Sequence, residues 1–424
     1  MVDRDKLYFG IFCVAFWVMG VSNFICEEIL PFLGENYRDL IQSIVNLLFY
    51  LLGIATLRRK KDLGLILVFI GLAIFSSLLN SVPFEFWFND LRRVIPVLLT
   101  LPIVRYFFTC SKSVEFRRSF DKQLLVFLVI QAFCLTFQFL KYGANDHGGG
   151  SLGNWNSGNI SLSIILISFY FVCKNWDGDN YIKSLWANRW YVFLLFPVFL
   201  NETKVSFLVI LVYFILLFPF HVKSFGKAFI AVPFAILIGI GGFFFYNWSV
   251  DSKVDIFEKD FFVNYLAGGD NFSDIMDSAE EAADFIEELV DKVDQGEWMF
   301  LDVPRFMKVG MLIPSMNDAP GGVLFGAGMG HLIDFKHPTK FANDHIVAFF
   351  GTRMMIHYIF LPLGILGLIW AFFWYKNILA FRERPFNMSF KVKLMLTFII
   401  ILTFFYNEYI QHIFGWAVSG GTAL

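Results

Sequence analysis

What most limits this chain is a recurring run of apolar residues, in most cases about as long as a helix needs to cross a hydrocarbon core of about 30 Å. Such runs occupy residues 7–24, 40–57, 63–80, 91–109, 123–140, 159–173, 188–200, 205–220, 228–246, 355–375 and 394–411. Only helices and closed barrels satisfy their own backbone in lipid. The even alternation of a barrel strand is absent, so the chain is expected to be an all-α polytopic membrane protein with about 11 (10–12) spans. Charged residues make up 17% of it, against about a quarter in soluble domains. A net charge of −2 singles out no partner class, and no nucleic acid is expected. The five cysteines, Cys13, Cys26, Cys110, Cys134 and Cys173, follow no CxxC spacing and read as small hydrophobes.

Lys and Arg collect in the connectors 58–62, 111–122, 174–189, 221–227 and 376–393. Short basic loops stay cytoplasmic, which puts the N-terminus inside as well. The first run lacks a small-residue cleavage site and reads as an uncleaved span. Both flanks of "FLNETKVSFL" (199–208) are basic connectors, so the chain between them must cross an even number of times. Residues 188–220 are therefore expected to form a hairpin of two short helices with Asn201–Lys204 at its outward tip. About 11 strictly apolar residues of the first arm cover only about 17 Å, so the tip should lie below the outer surface. Polar groups at that depth face protein or a water-filled cavity. The closing stretch "YIQHIFGWAVSGGTAL" is short for a further crossing, and the C-terminus is expected outside.

Two outward segments stand out. One is the Gly- and Asn-rich stretch 141–159. The other runs from about Asn247 to His345 and holds 19 acidic against 7 basic residues. Within it, Ile275, Met276, Ala279, Ala282, Ala283, Ile286, Leu289, Val290 and Val293 have the period of an amphipathic helix. The expected organisation is residues 1–246 as spans 1–9, 247–354 as an outward loop domain and 355–424 as C-terminal spans. "GAGMG" (326–330) lacks the strand–helix surroundings of a dinucleotide loop. "HPTKFANDH" (337–345) carries two His and an Asp without metal-ligand spacing, and no metal or cofactor is expected.

Four stretches together resemble the O-antigen polymerase and O-antigen ligase superfamily of membrane glycosyltransferases. They are "GSLGNWN" (150–156), "TKVSFLVILV" (203–212), "VPRFMKVGMLIPSMNDAPGGVLFGAGMG" (303–330) and "LPLGILGLIWAFFWY" (361–375), and the likeness covers roughly residues 120–375. The resemblance implies a GT-C-like architecture in a bacterial inner membrane. It implies glycosyl transfer on the periplasmic face from an undecaprenyl-diphosphate-linked oligosaccharide, with a chain-length regulator in the same membrane as a further partner. A departing diphosphate calls for fixed cations in a partly desolvated site. Arg305 is expected to lead, with Lys204, standing where the family carries Arg, and Arg353; Arg92 and Arg93 lie near the outer end of the fourth span. Asn154, Asn156 and Glu202 are expected to meet diphosphate or glycan. A His with Asp344 beside it suits a general base, which favours His345 over His357. Lys141 and His147 are the nearest substitutes for the family's Arg upstream of the Gly/Asn loop. A polymerase is the expected member; a ligase that transfers to lipid A–core, or a flippase of the same glycans, are the alternatives.

Overall fold

Asp3 starts the first helix, its carboxylate accepting the Asp5 N–H at 3.2 Å, as an N-cap acid does. The computed structural model describes residues 3–143, 148–153, 156–176, 181–201, 205–218, 241, 305–330, 339–345, 354–379, 387–406 and 413–423. For some of these, Arg305 among them, only the backbone is described. The expected amphipathic helix at 273–293 and, apart from Gly241, the span 228–246 lie outside the described residues.

The described residues are all-helical, with no strand. α1 (Arg4–Phe24) runs on into a π-helical turn (Ile25–Ile29). There follow α2 (Gly34–Thr56), α3 (Lys60–Leu79), α4 (Phe84–Thr109), α5 (Ser113–Tyr142) and α6 (Ser157–Lys174). Three short helices come next: α7 (Tyr181–Ala187), α8 (Arg189–Phe193) and α9 (Val205–Leu217). After these stand α10 (Arg305–Ser315), α11 (Gly322–Phe325), α12 (Lys340–Asp344), α13 (Met355–Leu379), α14 (Met388–Tyr406) and α15 (Ile413–Ala423). Among the described residues, five segments are long and apolar enough to cross a membrane: Arg4–Ile29, Lys60–Leu79, Ser113–Tyr142, Ser157–Lys174 and Met355–Leu379. This is a membrane-associated, multi-helical protein.

Side-chain ties fix the helix directions. At one end, Tyr106 donates to Asp5 at 2.6 Å and accepts from Arg58 at 3.2 Å. Lys6 pairs with Glu115 at 3.0 Å, and Lys112 pairs with Asp3. Arg105 meets Asp62 at 2.5 and 2.7 Å there. The starts of α1, α3 and α5 thus meet the ends of α2 and α4. Asn80, Asp90, Lys141 and Asn201 make their contacts at the other end. Among the described residues, the basic connectors 58–62 and 111–122 therefore gather on one side, here called the basic end.

α6 is buried almost all round, its polar residues included, which marks it as the bundle's centre. Outer helices instead turn large apolar side chains outward, among them Ile54, Leu78, Phe133 and Leu140, as a lipid-facing wall does.

The first arm of the hairpin departs from a regular helix. Asn188 donates to Asn175 O at the end of α6, and Asn201 donates to Ser157 O at its start. Thirteen residues at the α-helical rise would cover about 20 Å, less than that stretch of α6. The arm gains reach by continuing as a 3₁₀ turn at Phe196–Leu200, which rises about 2.0 Å per residue. The C-terminal stretch also differs from expectation. α15 is buried against α4 and α5, with Gly420 facing Val104 and Leu101 and Gly421 facing Phe120. It turns back into the bundle, because small residues (Ala417, Gly420, Gly421) let a helix approach its neighbours closely.

Candidate functional site

The stretches named from the sequence gather at the end of the bundle away from the basic connectors, as two groups. The first is built on a turn wedged between α1 and α5. Gln131 and Gln138, seven residues apart on one face of α5, are both fully buried. Gln138 accepts from Gly150 N at 2.7 Å and donates to Gly150 O at 3.2 Å. Gln131 accepts from Ser151 N at 2.8 Å and donates to Ser151 Oγ at 2.6 Å, while that hydroxyl donates to Gly20 O. Two amides therefore replace the water that a buried turn would otherwise need. Gly153, at φ +85°, packs so closely on α1 that a Cβ would lie 2.7 Å from Asn23 Cβ and from Glu27 Oε2.

Asn156 donates to Leu152 O at 3.1 Å and accepts from Asn159 at 3.0 Å, while Asn23 donates to the same Leu152 O at 2.8 Å. Asn201 of the hairpin, 2% exposed, donates to Ser161 Oγ at 2.7 Å. Asn201 is thus held against the first turn of α6, facing protein. Glu202 and Lys204 lie outside the described residues, as does Asn154. Lys141 is engaged by Glu28 of the π-turn, whose Oε2 accepts from Lys141 at 2.8 Å and from Tyr142 at 3.1 Å.

The second group interlocks the Gly motif with α13. Pro362 has no N–H to give, and Gly364 leaves helical backbone at φ +61°, ψ −152°. The carbonyls freed by this kink find new donors. Leu361 O accepts from Ala327 N at 2.8 Å, and Pro362 O accepts from Gly328 N at 3.2 Å and from Ser76 Oγ at 2.8 Å. Ser76 also lies 2.5 Å from Phe325 O, while Asn80 donates to Gly326 O at 2.8 Å and accepts from Gly321 N at 3.0 Å. Ser77 and Asp90 accept from Met329 N and Gly330 N at 3.0 and 2.6 Å. Arg92 and Arg93, just after Asp90, are exposed.

His345 belongs to this second group. Its Nε2 lies 3.0 Å from Asp318 Oδ2, and its ring sits tilted against Phe341, centroids 5.0 Å apart. The carboxylate beside it therefore comes from the turn that ends α10, where the sequence had suggested the adjacent Asp344. Arg305 opens that same α10; Arg353 lies outside the described residues. His357 is buried in α13, its Nδ1 accepting from Met354 N at 3.3 Å. Leu312, Met316, Ala327, Phe341 and Phe360 pack together beneath the group.

Sequence reasoning missed Ser76, Ser77, Asn80 and Asp90, which lie about 240 residues from the motif they hold. The Gln131–Gln138 pair carried a readable signal, two amides at i, i+7 inside an apolar run. Among the described residues, no three of His, Cys, Asp or Glu gather as a metal cluster. No protein-family model, characterised protein or solved structure matches this chain, so the likeness to the O-antigen superfamily stands on its motifs.

Replacing Gln131 with Leu strands the Ser151 N–H in a dry place, which costs about 1–3 kcal/mol. Detergent-solubilised Gln131→Leu protein should unfold at a clearly lower temperature than the parent. An unchanged midpoint would show that the turn does not depend on this amide.

Proposed function

We propose that this chain polymerises lipid-linked oligosaccharide repeat units. It would transfer the growing glycan from an undecaprenyl-diphosphate donor to a second lipid-linked repeat on the periplasmic face. The observation that supports this most is the pairing of motif segments distant in sequence. The Gly/Asn turn and Asn201 meet at the first turn of α6, and the Gly motif locks into the kink of α13, all at one end of the bundle.

In the reaction, the acceptor hydroxyl attacks the anomeric carbon, the bond to the diphosphate breaks, and the hydroxyl proton passes to a base. In this scheme His345 takes that proton, its ring held by Asp318 at 3.0 Å. Arg305, Lys204 and Arg353 stabilise the departing diphosphate, with the exposed Arg92 and Arg93 as further cations. Asn154, Asn156 and Glu202 contact diphosphate or sugar. Arg serves by its bidentate fork and Lys as a point charge, so no metal enters the scheme.

The test is reconstitution of purified protein with polyprenyl-diphosphate-linked oligosaccharide and chelator, with and without lipid A–core, products being sized on a gel. A ladder of lipid-linked multiples formed without core supports the polymerase. Transfer only with core present identifies a ligase, and no transfer by folded protein favours a flippase. In the same assay Lys204→Ala should lose at least tenfold in rate, about 1.4 kcal/mol of barrier, with membrane insertion unchanged. Parental turnover in that variant removes Lys204 from the site.

A further inference from the structure

Opposite the proposed catalytic end, the first turns of α5 carry a second chemistry. An open cavity of ≈ 540 Å³ is lined by Ser111, Lys112, Val114, Glu115, Arg118, Ser119 and Lys122. Two of its charges are committed elsewhere: Glu115 to Lys6 and Lys112 to Asp3. Asp121 points away, taken by Tyr170 and Lys174. Arg118 and Lys122 are exposed and have no ion-pair partner among the described residues. The cavity therefore offers about two uncompensated positive charges at the start of a 30-residue helix, whose free N–H groups also favour an anion.

The same face continues in another register. Glu115, Arg118, Ser119 and Lys122 are followed by Val126, Val129, Phe133, Phe137 and Leu140, and all nine fall within about 100° around the helix axis. Each of these five apolar side chains is more than 40% exposed. From Lys122 to Leu140 the helix rises about 27 Å, close to the depth of a hydrocarbon core. One stripe thus presents cations at a membrane interface and bare hydrocarbon below them. A free phosphate would use the first half alone; a phospholipid uses both.

We infer that the basic end of α5 binds an anionic phospholipid, its phosphate held by Arg118 and Lys122 and an acyl chain laid along Val126, Val129 and Phe133. The ligand belongs to the leaflet on the side of the basic connectors, where polybasic segments attract anionic lipid. Glycan transfer at the other end is neither required for this site nor a readout of it.

Native mass spectrometry of the full-length protein tests it, with phosphatidylglycerol, phosphatidylcholine and glycerol-3-phosphate as probes. Phosphatidylglycerol should bind in preference to phosphatidylcholine. The double variant Arg118→Ala, Lys122→Ala should weaken phosphatidylglycerol about twenty-five-fold, each cation near a charged surface contributing about fivefold, and leave phosphatidylcholine unchanged. Phe133→Ala should weaken it several-fold with both cations in place. All three side chains are exposed, so helical circular dichroism should not change. Equal retention of phosphatidylglycerol by parent and double variant would overturn the site. Glycerol-3-phosphate competing on equal terms with the lipid would overturn its assignment to a phospholipid.

Discussion

Asp62→Ala is expected to destabilise the bundle by about 3–5 kcal/mol, the cost of leaving one partner of a buried ion pair uncompensated. Asp62 and Arg105 are 1% and 5% exposed. The Arg105 guanidinium gives Nη1 to both Asp62 oxygens and Nη2 to Asn377 O at 2.9 Å, and Asn377 donates to Asp62 Oδ1 at 2.6 Å. One closed network thus ties the start of α3 to the ends of α4 and α13, and in the single variant Arg105 keeps its charge with nothing to meet it. The measurement is unfolding of detergent-solubilised protein followed by tryptophan fluorescence. The companion Asp62→Leu, Arg105→Met removes both charges and should recover most of the loss, since apolar replacement of a buried pair is often neutral. A single variant as stable as the parent would mean that the pair does not lock these helices.

The hydrocarbon runs were enough to predict an all-helical chain with several helices long enough to cross a membrane, because that feature follows from solvent alone. Local geometry within the runs was less legible. The apolar pattern of 188–200 is the same for an α-helix and for the α–3₁₀ arm, and only the distance to be covered beside α6 decides between them. The motif residues were visible as types, but their partners were not. Nothing near Gly326 in sequence points to Asn80, and nothing near His345 points to Asp318 above the nearer Asp344. Such pairs are set by which helix ends meet, a tertiary fact that a single sequence does not carry.

The Gly motif and the α13 kink form one lock, and its most sensitive position is Gly364. A Cβ there would lie 2.5 Å from the Leu324 carbonyl carbon and oxygen and from Val323 O. These are backbone atoms, which cannot swing aside as a side-chain tip can. The conformation itself, φ +61° with ψ −152°, is open almost only to glycine and costs other residues about 1–3 kcal/mol. Overpacking adds about 1–3 kcal/mol more. Gly364→Ala should therefore lower stability by about 2–6 kcal/mol. Gly10→Ala is the control: it lies inside α1 with nothing within 4 Å of an added Cβ, and should be neutral or more stable by up to about 1 kcal/mol. The lock also holds the turn packed beneath Asp318 and His345, so, on the proposed function, any Gly364→Ala protein that folds should lose transfer rate more than donor binding. If Gly364→Ala unfolds with Gly10→Ala at the parental temperature, the interlocked turn is not what holds the second group in place.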